Sequence, residues 1–273
     1  MKRRLFALPG LALALLLGFG ASAQAKDTIV VGVTPFPHRA IMEKAAPLLK
    51  AKGYDLVIRD FSDYVQPNIA LAEGSLDANF HQHIPYLDTT KVQRGLDLTW
   101  VAKVHIEPLG LYSKKIQNIS ELKKGDIISL PNDPSNGSRA LRLLAAHGLI
   151  TLKDKDLVTV RDVVDNPLGL KLVELDAAQL PRTLVDVTAS VINTNFAVQG
   201  GLIPIRDALL IEDADSPYVN VVVVRTSDRD QPWVRALVEA VNSPEVRAFI
   251  VDDLASRGIV PAFDVPAAEP AAK

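Results

Sequence analysis

"TIVVGVTPFPHRAIMEKAAPLLKAKGYDLVIRDF", residues 28–61, decides the fold class. Thr28–Val33 is a compact run of mainly β-branched residues and reads as a buried strand. From Arg39 onward apolar residues recur at helical spacing until Gly53 stops them, and Tyr54–Phe61 returns to a strand pattern. The alternation continues downstream, through strands at "LDANFHQH", "TWVAKVHI", "DIISLP", "LKLVELD", "ASVI" and "YVNVVVVRT" and helices at "NGSRALRLLAAHG", "LPRTLVD", "QPWVRALVEAVNS" and "PEVRAFIVDDLASRG". Such a chain is α/β, with mostly parallel sheets carrying helices on both faces. Ligands then bind beyond the carboxyl ends of the strands or between lobes. The polar clusters fall at those ends: "TPFPH", "SDY", "HQH", "PNDPSN" and "NTN". Five polar strand ends point to one composite site.

Residues 1–25 stand apart from this pattern. Lys2, Arg3 and Arg4 precede an apolar run over Leu11–Leu17, and Ala23-Gln24-Ala25 forms a small-residue cleavage site before Lys26. That is the composition of a secretory signal peptide, cut after Ala25. No later stretch reaches the roughly 18 apolar residues of a membrane span. The chain has no cysteine, which excludes disulfides and an acylated cysteine at the cleavage site. The expected product is a free periplasmic or secreted protein, not a lipoprotein.

The full chain carries 30 Lys+Arg against 32 Asp+Glu. Loss of the leader removes three of the cations and makes the net charge about −5. A mildly acidic chain lacks the basic footprint of a nucleic-acid binder. The mature length suffices for one large or two modest domains with their own cores.

His81 and His83 stand at i, i+2, so on a strand they face one side. With a third ligand from His38, Glu107 or Asp63 they form a metal site; without one they are a pocket histidine and a structural one. A secreted metal-dependent hydrolase or metal carrier built on this pair is the alternative to a binding function. Nucleophile elbows, P-loops and dinucleotide loops are missing. "PNDPSNGSRALRLLAAHG" (131–148) reads as a turn through Asn136–Gly137 into a helix with Arg139 in its first turn. Helix-start N–H groups and the guanidinium can hold an anion there; the alternative is an Arg139 paired with a carboxylate such as Asp133.

"FSDYVQPNIAL", "DANFHQHIPYLD", "PLGLYSKKI", "LPNDPSNGSRALRLL", "LVELDAAQLPRTL", "VINTNFA" and "SPYVNVVVVR" stand in an order similar to that of the NlpA/MetQ family. These are substrate-binding proteins of methionine-type ABC importers. The resemblance runs from Thr28 to Gly258. It implies a two-lobe periplasmic binding protein fold, type II-like, with the ligand in the interlobe cleft. Lobe 1 would comprise residues 26–108 and 225–262, lobe 2 residues 109–224, and 263–273 a flexible tail. It also implies no catalysis, cofactor or metal, a monomer, and partners in an ABC permease and its ATPase. Carried over by motif, Arg139 and Asn136 bind the ligand carboxylate, Asn193 contacts its backbone polar groups, and Tyr64, His81 and His83 wall the pocket. His81 departs from the methionine pattern, which has phenylalanine at that position, so a polar ring replaces part of an apolar wall.

Overall fold

The computed structural model of the protein describes residues 26–213 and 216–265. The expected leader and the end of the tail lie outside that range. The chain begins with β1 (Thr28–Val33), α1 (Ala40–Ala51), β2 (Asp55–Asp60), α2 (Gln66–Ala72), β3 (Ala78–His83), α3 (Ile84–Arg94) and β4 (Leu98–Ile106). It crosses through Glu107–Leu109 into β5 (Gly110–Tyr112), β6 (Ile127–Pro131), α4 (Pro134–Ala146), a short β7–β8 pair (Thr151–Leu152, Val163–Asp165) and β9 (Lys171–Leu175). There follow α5 (Leu180–Thr183), β10 (Ala189–Ile192), α6 (Thr194–Gln199), α7 (Pro204–Asp207) and β11 (Ala208–Ile211). The chain then returns as β12 (Val219–Arg225), α8 (Pro232–Val241), α9 (Pro244–Phe249) and β13 (Val260–Pro261).

Two sheets result, ordered β13-β4-β12-β3-β1-β2 and β11-β5-β10-β6-β9. They are mixed, not mostly parallel. β1 runs parallel to β2 and β3, and β6 parallel to β9 and β10, as the βαβ pattern requires. β12 is antiparallel to both of its neighbours, β3 and β4, because it enters the first sheet from the other lobe. Its central place also corrects the expected boundary: the return occurs before Val219, not at 225. Ala262 N–H donates to Val104 O at 3.0 Å, and Phe263, the first residue of the expected tail, packs on the first core.

Each sheet has its own core. In the first, Ile29, Val31 and Val33 of β1 meet Ile41, Met42 and Leu49 of α1 and Trp233, Leu237 and Val241 of α8. In the second, Leu109 and Leu111 pack with Ile128, Leu130, Leu141 and Leu144. Fully burying an aliphatic side chain contributes about 1.5–3 kcal/mol, so each lobe can hold its own sheet. Helix α4 lies close to the end of β6 because Gly137 has no Cβ; one there would stand 2.9 Å from Pro131 O. That close approach sets the position of Arg139.

Candidate functional site

The two sheets present their polar ends to one cavity, lined by side chains of both. All six residues singled out from the sequence (Tyr64, His81, His83, Asn136, Arg139 and Asn193) line it. The first lobe adds His38, Gln82, Tyr86 and Asn220, the first crossing adds Glu107, and the second lobe adds Thr194 and Asn195.

His83 is the N-cap of α3, and its Nδ1 accepts from Tyr86 N–H at 3.1 Å. Nδ1 therefore holds a lone pair, so Nε2 carries the hydrogen and donates to Asn136 Oδ1 at 3.0 Å. Both ring nitrogens are committed, and burial pushes the imidazole down to about 3, which keeps it neutral. His81 Nε2 lies 3.2 Å from the Tyr64 carbonyl, to which it can only donate. The pair therefore does not offer two lone pairs to a metal, and the chelating reading of His81 with His83 fails on geometry. Asp63 is no ligand either, since its Oδ1 accepts from Val65 and Gln66 N–H at 2.7 and 2.8 Å and starts α2.

Helix α4 begins earlier than the sequence pattern indicates. Asp133 is its N-cap and Pro134 opens it, so Asn136 and Gly137 are already helical and Arg139 sits in the second turn. The Asp133 carboxylate accepts from Asn136 N–H at 2.8 Å. Its oxygens also lie 3.2 and 3.0 Å from Asn136 Nδ2. The helix start is thus filled by the chain's own carboxylate, not left for an anion. Asn136 Oδ1 accepts from His83 and, at 2.9 Å, from Asn193 Nδ2. Asn136 is a strut between lobes, and the Nδ2 that would have to donate to a ligand carboxylate already faces the Asp133 carboxylate.

Arg139 is 3% exposed and its partner is Glu212, not Asp133. Nε lies 2.8 and 3.0 Å from the two Glu212 oxygens, Nη2 donates to Glu212 Oε2 at 2.5 Å and to Glu107 O at 2.8 Å, and the guanidinium stacks on Tyr218 at 4.1 Å. Glu212 Oε2 also accepts from Leu109 N–H at 2.9 Å. One side chain of α4 thereby clasps both crossing segments. Among the described residues Nη1 has no protein acceptor, which leaves two N–H donors for a carboxylate beside the clasp.

The start of α6 supplies the opposite wall. Thr194 Oγ1 donates to Pro108 O, tying that helix to the first crossing. Asn195 Oδ1 accepts from Tyr64 O–H at 2.5 Å, a second bond between lobes. Among the described residues, three buried polar atoms of cavity-lining side chains have no partner: His81 Nδ1, Asn193 Oδ1 and Asn195 Nδ2. Such atoms are rare in folded proteins and mark a place for a ligand or water.

A buried network runs from the cavity wall to His105 behind it. His105 Nε2 is 2.8 Å and His38 Nε2 3.4 Å from Glu107 Oε1; His38 also reaches Asn220 Oδ1 at 3.1 Å and Thr34 Oγ1 at 2.7 Å. The ligand atoms of His38, His105 and Glu107 fall within 4.8 Å of one another, so this is the metal-capable grouping among the described residues. The 2.8 Å separation and the asparagine partner of His38 fit hydrogen bonds. Burial pushes His38 down to about 4 and His105 to about 3, and raises Glu107.

Sequence reasoning missed Glu212, Tyr218, Tyr86 and Asn220. Only Asn220 carried a usable signal, a lone amide inside an otherwise apolar strand. Asn136→Ala should lower stability by about 1–3 kcal/mol for each abandoned donor that water does not satisfy. Urea unfolding checks it, and an unchanged midpoint removes Asn136 as an interlobe strut.

The family model described as NlpA lipoprotein matches residues 29–263. The D-methionine-binding lipoprotein MetQ of Yersinia pestis is 45% identical over 236 residues, covering 85% of this chain and 87% of that protein. Outer membrane lipoprotein 2 of Mannheimia haemolytica is 42% identical over 229 residues, 83% of each. Among solved structures, a nutrient-binding protein from Burkholderia cenocepacia bound to methionine superposes with a TM-score of 0.83 at 44% identity, over 86% of this chain and 100% of that one. A periplasmic substrate-binding protein of an ABC transporter from Coxiella burnetii gives 0.82 at 46% identity, with the same coverages. A match over nearly the whole described chain, in sequence and in both sheets, makes this protein a member of the NlpA lipoprotein family.

Proposed function

We propose that this protein is the extracytoplasmic substrate-binding component of an ABC importer. It would enclose methionine or a related α-amino acid between its lobes and deliver it to a permease and its ATPase. The observation that carries this reading is the set of free groups on the cavity wall. Arg139 Nη1 is a donor suited to a carboxylate and Asn193 Oδ1 an acceptor suited to an ammonium, while Asn195 Nδ2 is a free donor on the Tyr64 wall. Tyr64 and Tyr86, packed edge to face with ring centroids 5.7 Å apart, offer an aromatic wall against which a thioether gains a little contact energy. The relative of known structure that holds methionine supports the ligand class.

The lobes, one built on residues 26–108 with the returning β12–β13 segment and the other on 109–211, would open about the two crossings. The closed form is held by His83–Asn136 and Tyr64–Asn195. Native mass spectrometry of protein purified without refolding should show a retained neutral amino acid, and calorimetry should show saturable binding of it. Failure to bind any α-amino acid would sink the reading.

Such a receptor would bind and release its ligand without catalysis and act as a monomer. With no cysteine to carry an acyl chain, the mature protein would begin at Lys26 and stay free in the periplasm, unlike relatives named lipoproteins. Fractionation should recover it in the soluble extract. An acylated form in membranes would refute free residence.

A further inference from the structure

We propose that His81 sets the side-chain end of the cavity for a hydrogen-bond donor. The site then favours an α-amino acid of methionine length ending in an N–H group, a primary carboxamide, relative to a site with an apolar ring at this position. The proposal rests on the amino-acid reading above.

The backbone first places the ring. β12 pairs Val222 with Phe80 and Val221 with Gln82, and the register shifts between them, so His81 has no partner in the ladder. A bulge of this kind re-aims its side chain. The ring is 3% exposed, and its centroid lies 6.2 Å from those of Tyr64 and of Tyr86, at the aromatic end of the cavity. The charged head of an amino acid belongs with Arg139 and Asn193.

The chemistry of the ring follows from one bond. The Tyr64 carbonyl accepts and cannot donate, so Nε2 at 3.2 Å carries the hydrogen and Nδ1 carries the lone pair. Burial pushes the imidazole down to about 3, so Nδ1 does not gain a proton at neutral pH. Nδ1 is buried with no partner among the described residues. A thioether donates nothing to it, and a sulfoxide brings one more acceptor to a lone pair. A carboxamide N–H satisfies it. The amide oxygen can in turn accept from Asn195 Nδ2, the other free polar atom on the Tyr64 wall, since Asn195 Oδ1 already takes the Tyr64 hydroxyl.

The test is calorimetry with L-glutamine, L-methionine and methionine sulfoxide on the full mature protein, on His81→Phe and on His81→Gln. Gln at this position keeps an amide N–H for the Tyr64 carbonyl and offers Oε1 as acceptor where the ring offered Nδ1, so it is the conservative variant that should rescue binding. The glutamine-to-methionine affinity ratio should fall about 10- to 100-fold in His81→Phe, through loss of glutamine binding, and stay near the parent's in His81→Gln. The sulfoxide should follow methionine. A ratio that does not move in His81→Phe, a change confined to methionine, or a His81→Gln that loses glutamine binding overturns the proposal and leaves the amino-acid reading standing. Binding of no α-amino acid by the parent protein overturns both.

Discussion

Arg139→Ala should lose both its ligand and much of its stability. From sequence alone the guanidinium reads as a ligand contact whose removal the fold would tolerate. Instead it forms a two-toothed pair with Glu212 and bonds Glu107 O, so it joins α4 to both crossings. The loss of its free Nη1 should weaken ligand binding about 10- to 100-fold, the worth of a charge-assisted bond. Removing one partner of a buried pair typically costs about 3–5 kcal/mol. Glu212 keeps 14% of its side chain exposed, which argues for the lower end, about 3 kcal/mol. Glu212→Gln separates the two roles, because it loosens the clasp while leaving the guanidinium in place. Urea unfolding and calorimetry on both variants decide. An Arg139→Ala midpoint equal to the parent's rejects the clasp, and an unchanged affinity rejects the carboxylate contact.

The second large effect is on acid stability. His38 is pushed down to about 4, and His81, His83 and His105 to about 3, in each case chiefly by burial. An unfolded histidine titrates near 6.5. With folded values below unfolded ones, the unfolded state binds more protons at mildly acid pH. The contribution is fully present above about pH 6.5 and is lost as pH falls toward 4 and 3. At pH 5 each ring should cost on the order of 2 kcal/mol relative to neutral pH. Glu107 works the other way: burial raises it, so its proton uptake on acidification favours the folded form and offsets part of the loss. Against a usual total of about 5–15 kcal/mol, the net effect places acid unfolding between pH 6 and 4, well above ordinary carboxylate titration. Urea midpoints at pH 7.5 and pH 5 measure it; equal midpoints would mean the four rings are not held neutral by the fold. Saturating ligand should move the transition to lower pH by mass action on the folded state.

The first lobe was legible because its cues are local. β1, α1 and β2 follow from a β-branched run, a helical repeat and Gly53, and none needs a distant partner. β7, β8 and β11 escaped notice because they are two to four residues long and too short for a period. The helix at 131–148 was found but started late, since Asp133 as N-cap and Pro134 behind it outweigh the turn signal of Asn136–Gly137. The polar strand ends did converge on one cavity, as their places in the alternation indicated.

What the sequence determined by itself was the α/β class, most of the strand and helix positions, and the six polar or aromatic residues that meet between the lobes. Periodicity, caps and long motifs are properties of neighbouring residues, so they survive without coordinates. What only the tertiary structure decided was who pairs with whom. Glu212 takes Arg139 across 73 positions of chain, and Asn136 takes His83 across 53. It also decided that β12 runs antiparallel inside the first sheet. Hydrogen bonds and desolvation act through space, and in a chain that crosses twice between lobes the nearest carboxylate in sequence is not the nearest in the fold.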